Sequence, residues 1–206
     1  MHDVIESVPA DEALRRLVAG NNRFQRGESH WSGITPDALA DLTTGQHPFA
    51  TILGCSDSRV PPEIIFDAGV GDLFVVRVAG NIISTEVAGS IQYAGAHLHT
   101  KLFVVLGHEG CGAVHAAIQT VLHGARHKSR IHLLVESIIP AVGEIDPALA
   151  PAAQLSLAVE RNVRWSMRQI AESPEGRARL AGGDVTLVGA VYEIRSGRVR
   201  ILDGES

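Results

Sequence analysis

Two cysteines and one histidine carry the sharpest chemical signal in this 206-residue sequence. Cys55 opens the segment Cys55-Ser56-Asp57-Ser58-Arg59, and His108-Glu109-Gly110-Cys111 is followed by Gly112. Two thiolates and an imidazole form a donor set suited to zinc. The His108-x-x-Cys111 spacing lets one turn supply two ligands, and the neighbouring glycines permit tight backbone geometry there. Three protein ligands leave a fourth position open, the pattern of catalytic rather than structural zinc. Taken alone, H-x-x-C is a weak motif, and a buried cysteine often serves only as a small apolar residue. Asp57 could ligate such a metal or accept a hydrogen bond from a metal-bound hydroxide. Arg59 could hold that carboxylate through a bidentate pair, lowering its pKa and fixing its orientation. The plainer alternative is a surface ion pair in a turn. A phosphatase loop needs a longer stretch between cysteine and arginine than Cys55 and Arg59 enclose. Gly69-Val70-Gly71 is too short for a dinucleotide fingerprint and precedes its strand instead of following it.

The elements that must position these groups read as α/β. Four short apolar runs, at 49–53, 73–78, 102–106 and 185–191, predict strands buried on both faces of a mostly parallel sheet. Helical stretches separate them at 61–66, 85–99 and 111–123, with two more helices within 129–171. Residues 198–202 follow Ser196-Gly197 and predict an antiparallel edge strand against the fourth strand. Ahead of the sheet, residues 11–26 predict a helix with Leu14, Leu17, Val18, Asn21 and Phe24 on one face, stopped by Gly27. Thr35-Pro36 predicts the start of a short helix reaching to about Thr44. In a doubly wound sheet, sites gather at the carboxyl ends of strands. Both cysteines fall just past a strand end. If those two strands are neighbours, Cys55, His108 and Cys111 converge.

Composition bounds the function class. Eighteen basic against 23 acidic residues give a formal net charge of −5, which argues against a nucleic-acid partner. Hydrophobic residues make up 45% and charged residues 20%, a folding composition. Aromatics are only 4%, so Ala, Val, Ile and Leu must build the core. Two cysteines exclude a disulfide-dense scaffold. No secretory signal opens the chain, and no stretch approaches the ~18 consecutive apolar residues of a membrane span. The expectation is a soluble, cytoplasmic protein with no membrane partner, in which both cysteines are free, metal-bound or catalytic. One domain over residues 1–206 is expected, with a helical arm to about 45 and an α/β core from about 46.

With these motifs in place, the sequence resembles the β-class carbonic anhydrases. The resemblance rests on Cys55-Ser-Asp57-Ser-Arg59 and His108-Glu-Gly-Cys111-Gly. It extends through Gly71-Asp72-Leu73-Phe74-Val75-Val76-Arg77, Ala79-Gly80-Asn81 and Ser90-Ile91-Gln92-Tyr93-Ala94. It implies four parallel strands with an antiparallel edge strand, and a homodimer or homotetramer in which the N-terminal helices embrace the partner. It implies one Zn2+ per subunit, on Cys55, His108 and Cys111, with Asp57 and Arg59 as the dyad beside it. Gln46 stands where the family places a substrate-orienting amide. Phe74, Ala79 and Tyr93 stand at positions lining a narrow apolar cleft. Tyr93 and His97, at i and i+4, share a helix face, and His97 is a candidate for proton transfer; its alternative is a plain surface histidine. The implied reaction is reversible hydration of carbon dioxide to bicarbonate and a proton, by attack of zinc-bound hydroxide. Carbon disulfide or carbonyl sulfide hydrolysis on the same scaffold is the nearest alternative, and a non-catalytic zinc protein a more distant one. Some bacterial relatives carry Trp in a bicarbonate pocket where this chain has Ile52. That departure implies that the pocket is absent and that Asp57 pairs with Arg59 instead of closing onto the metal.

Overall fold

The computed structural model describes residues 7–30, 39–40, 42–143 and 145–202. In chain order the elements are α1 (Ala10–Arg26), β1 (Ala50–Gly54), α2 (Pro62–Ile65), β2 (Leu73–Arg77), a 3-10 turn (Ala79–Asn81), α3 (Thr85–His97), β3 (Leu102–His108), α4 (Gly112–His123), α5 (Ser129–Val142), α6 (Pro151–Glu172), α7 (Pro174–Ala181), β4 (Thr186–Glu193) and β5 (Arg198–Ile201). Most of the short helix expected from Thr35 lies outside the described residues. No helix among the described residues is long and apolar enough to cross a membrane.

The five strands form one sheet in the order β2-β1-β3-β4-β5. The first four are parallel, and β5 runs antiparallel to β4. Every residue of β1 and β3 is buried, as their unbroken apolar sequences require when helices cover the sheet. Thr51 is the polar exception in β1, and its hydroxyl shares a 2.8 Å hydrogen bond with that of Thr100. The strand at 73–78 differs from its expected burial on both faces: every position of β2 from Leu73 to Val76 is only half-buried and Arg77 is exposed. Its place at the sheet edge is the reason, since β1 flanks it on one side only.

From β1 the chain passes to β2 on one side; from β3 it passes to β4 on the other. The crevice at the carboxyl ends of β1 and β3 is therefore the topological switch point, where α/β sheets place ligands. The register pairs Gly54 with Leu106, so Cys55 emerges beside the end of β3 that carries His108. Gly107 lets α6 lie close there: a Cβ at this position would stand 2.6 Å from Val163 Cγ2.

On α1, Ala13, Leu17, Gly20 and Asn21 are buried, whereas Val18 is 43% exposed and lies outside the packed stripe where the periodicity had placed it. Asn21 ties three segments together. Its Nδ2 donates to the carbonyls of Ile65 (3.1 Å) and Gly197 (2.9 Å), and its Oδ1 accepts from the Val199 N–H (2.8 Å). Asn21→Ala should leave these backbone groups without partners and cost about 3 kcal/mol. A fall in the urea midpoint at unchanged slope is the readout. Helix α7 was not read as an element of its own. Its local signal was present in Ser173-Pro174: Ser173 Oγ accepts from the Gly176 N–H at 2.9 Å, and the proline sits in the first turn.

Candidate metal centre

Cys55 leaves β1, His108 ends β3, and Cys111 caps α4. All three are buried, and one ligand atom from each lies within 4.8 Å of the others. The imidazole is already oriented for a metal. His108 Nδ1 stands 2.9 Å from the Glu109 carbonyl, which can only accept, so Nδ1 carries the proton. Nε2 is left as an unprotonated acceptor, buried and without a hydrogen-bond partner. A buried ring nitrogen with a free lone pair beside two thiols is what a tetrahedral N/S metal site requires. Zinc fits this donor set.

The sulfurs are tuned by their surroundings. A hydrogen bond from Cys111 draws the Cys55 thiol well below its ordinary pKa against the opposing pull of desolvation, and His108 and the backbone N–H of Gly80 add to the effect. The Gly80 N–H donates to Cys55 Sγ at 3.3 Å. The Cys111 thiol moves the other way: Cys55 and burial raise its pKa, while the Val114 and Ala113 amides at the start of α4 act against that rise.

Asp57 lies beside this trio, with Oδ2 3.9 Å from His108 Nε2. Arg59 clamps it bidentately: Nε donates to Oδ1 at 2.9 Å and an Nη to Oδ2 at 2.8 Å, while the Arg59 backbone N–H also reaches Oδ1 at 3.0 Å. The Arg59 guanidinium holds the carboxyl well below the usual carboxylate range. Asp57 is therefore an acceptor throughout the neutral range, with its oxygens fixed by geometry as well as charge.

Arg77 was missed by the sequence reading. From the end of β2 its Nε donates to the Cys55 carbonyl at 3.0 Å and an Nη to the Asp57 carbonyl at 2.6 Å, so it splints the Cys55–Asp57 loop. Its signal was a lone charge closing an apolar strand. Arg77→Met should retain metal but lower turnover roughly tenfold by loosening this loop. Metal analysis beside a steady-state rate is the check.

The remaining candidates fall elsewhere. Ala79 begins the 3-10 turn whose next residue, Gly80, reaches Cys55. Phe74, Tyr93 and His97 form a ring stack on β2 and α3, with centroids 6.2 Å apart for Phe74 and Tyr93 and 5.0 Å for Tyr93 and His97. Tyr93 is 46% exposed. Gln46 is exposed in the loop before β1, and Ile52 is fully buried within β1.

Comparison with known proteins fits this geometry. Residues 50–199 match the carbonic anhydrase family profile, a range that runs from β1 through β4 into the start of β5 and takes in all three candidate ligands. Carbonic anhydrase 2 of Mycobacterium tuberculosis is 40% identical over 194 residues, covering 93% of this chain and 92% of its own. The solved β-carbonic anhydrase CcaA superposes with a TM-score of 0.71 at 30% identity, covering 92% of this chain and 95% of its own. A tetrameric β-carbonic anhydrase of Sordaria macrospora gives a TM-score of 0.74 at 26% identity, covering 92% of this chain and 96% of its own. A matching profile over most of the chain, together with relatives aligned along nearly their whole length, places the chain in the β-carbonic anhydrase family.

Proposed function

We propose that this chain catalyses the reversible hydration of carbon dioxide to bicarbonate and a proton, with one zinc ion held by Cys55, His108 and Cys111. The observation that carries the reading is the unpartnered Nε2 of His108, buried between two thiols and next to the Arg59-clamped carboxylate of Asp57. Bound there, zinc would supply a Lewis acid that brings the pKa of a water toward ~7.

The protein's own groups do the orienting. Asp57, ionised and able only to accept, takes a hydrogen bond from the attacking oxygen and so turns that oxygen's lone pair to the carbon. Arg59 holds Asp57 in that pose. The Gln46 amide donates to a substrate oxygen as charge develops on it. Phe74, Ala79 and Tyr93 line an apolar cleft that admits carbon dioxide and excludes bulk water. His97 passes the released proton from a ring nitrogen to solvent.

The chain acts as one domain and as a homodimer or homotetramer. The half-buried edge strand β2 and the exposed Tyr93 give an apolar surface for a second copy, and the Sordaria macrospora relatives are described as tetrameric. A reducing compartment such as the cytoplasm suits a site that needs both thiols unoxidised. Stopped-flow carbon dioxide hydration tests the reading. The chain loaded with one zinc should accelerate hydration, lose the activity when stripped, and regain it with zinc. No rate above the uncatalysed reaction in the loaded chain overturns it.

A further inference from the structure

The N–H of Gly80 that reaches Cys55 Sγ belongs to a turn that is not at rest by itself. Gly80 and Asn81 both adopt left-handed backbone, at φ 71 and φ 43. A non-glycine residue in that region costs of order 1–2 kcal/mol and persists only when its surroundings enforce it. Helix α6 supplies the enforcement from far along the chain. Asn162 Nδ2 donates to the Gly80 carbonyl at 2.8 Å, and Ser166 Oγ donates to the Asn81 carbonyl at 2.9 Å. Asn162 and Ser166 are one helical turn apart, and both are essentially fully buried. From the other side, the Gly80 Cα faces Ile138 and Ala113 so closely that a Cβ would stand 2.7 Å from Ile138 Cδ1 and 3.1 Å from Ala113 Cβ.

Asn162 is a poor choice for stability alone. Its Oδ1 is buried and has no hydrogen-bond partner, so the side chain carries an unmet acceptor at a site where leucine would pack without one. What the amide does provide is a fixed Gly80–Asn81 peptide plane, which holds the backbone of Gly80 next to its own N–H.

We propose that Asn162, assisted by Ser166, is a positioning residue for the Cys55 thiolate: by holding the Gly80–Asn81 and Asn81–Ile82 peptide planes, it fixes the left-handed backbone of Gly80 and so aims the N–H on the preceding peptide at Sγ, setting how much electron density that sulfur gives to a metal. This rests on the reading of Cys55, His108 and Cys111 as a metal site. An N–H···S bond withdraws charge from a thiolate and weakens its donation, and outer hydrogen bonds of this kind tune metal centres. Without it, the sulfur becomes a stronger donor.

The test uses cobalt in place of zinc, because thiolate-to-cobalt charge transfer reports the electron richness of the sulfur. Asn162→Leu should move that absorption band to longer wavelength. Ser166→Ala should move it the same way by less. Leu17→Ala, which truncates a buried side chain of α1, the helix packed on α2, β3 and β5, should lower stability and leave the band in place. A band unmoved in both α6 variants, with stability reduced, overturns the proposal and makes Asn162 and Ser166 packing residues. If Asn162→Leu does not fold, Ser166→Ala decides alone by the same criterion. If the unsubstituted chain takes up cobalt without any thiolate band, the metal-site reading itself falls, which separates that failure from failure of the positioning role.

Discussion

Cys55→Ser is expected to leave a folded chain that holds well under a tenth of its metal and has lost at least about a hundredfold in carbon dioxide turnover. The magnitude follows from the position of Cys55 in the donor set. Removing an outer partner of a metal ligand typically costs 10–100-fold in affinity, so removing a ligand should cost more. A serine oxygen is shorter than sulfur, harder, and not ionised at neutral pH, whereas Cys55 is the thiol whose deprotonation Cys111, His108 and Gly80 all favour. The fold should survive, because Cys55 contributes a small buried side chain and a serine hydroxyl can still accept from the Gly80 N–H. Metal analysis beside circular dichroism separates the two effects. Full occupancy in a folded Cys55→Ser would show that the ligand set is wrong. Cys111→Ser should behave alike.

The ligand trio was legible because its signal is local. Each cysteine follows an apolar run, and strand ends in α/β sheets are where sites form. The pairing of β1 with β3, which turns two local signals into one site, needed only the strand order β2-β1-β3. The Asp57–Arg59 clamp was legible for the same reason, since both partners lie in one turn. What supports them was not. Asn162 reaches Gly80 across 82 positions of sequence, and Ser166 reaches Asn81 across 85. Such bonds leave no periodic trace, and a polar residue on the packed face of a long amphipathic helix looks like a flaw in the pattern. The half-buried state of β2 was hidden for a related reason. Its run of Leu, Phe, Val and Val fits a central strand as well as an edge strand whose apolar face awaits a cover. The stack of Tyr93 on His97 could be read from i, i+4 spacing, whereas the approach of Phe74 required the packing of α3 against β2.

Asp57→Asn is the substitution that best separates orientation from metal binding. The variant should keep its metal, keep most of its stability, and lose roughly a hundredfold in kcat. Stability changes little because Arg59 is half exposed, and an ion pair open to water contributes little to folding. Metal remains because Cys55, His108 and Cys111 are untouched. Rate falls because an amide can donate as well as accept, so the attacking oxygen is no longer obliged to turn its proton away from the carbon. The pH dependence sharpens the test. Arg59 holds the Asp57 pKa below the ordinary carboxylate value, so the stabilisation from the pair is complete above about pH 4 and is lost only as the pH falls further. Asp57 is thus ionised at every pH where turnover is measured, and it is not the group that shapes the neutral pH profile. Asp57→Asn should therefore lower the rate by the same factor across that range without moving the midpoint. Arg59→Gln should be milder: freed from its clamp, the Asp57 carboxyl returns toward about 3.9, still ionised at neutral pH, and only its orientation is loosened. A kcat in Asp57→Asn equal to that of the parent would remove Asp57 from the reaction. A shifted midpoint would instead assign it the proton transfer here given to His97.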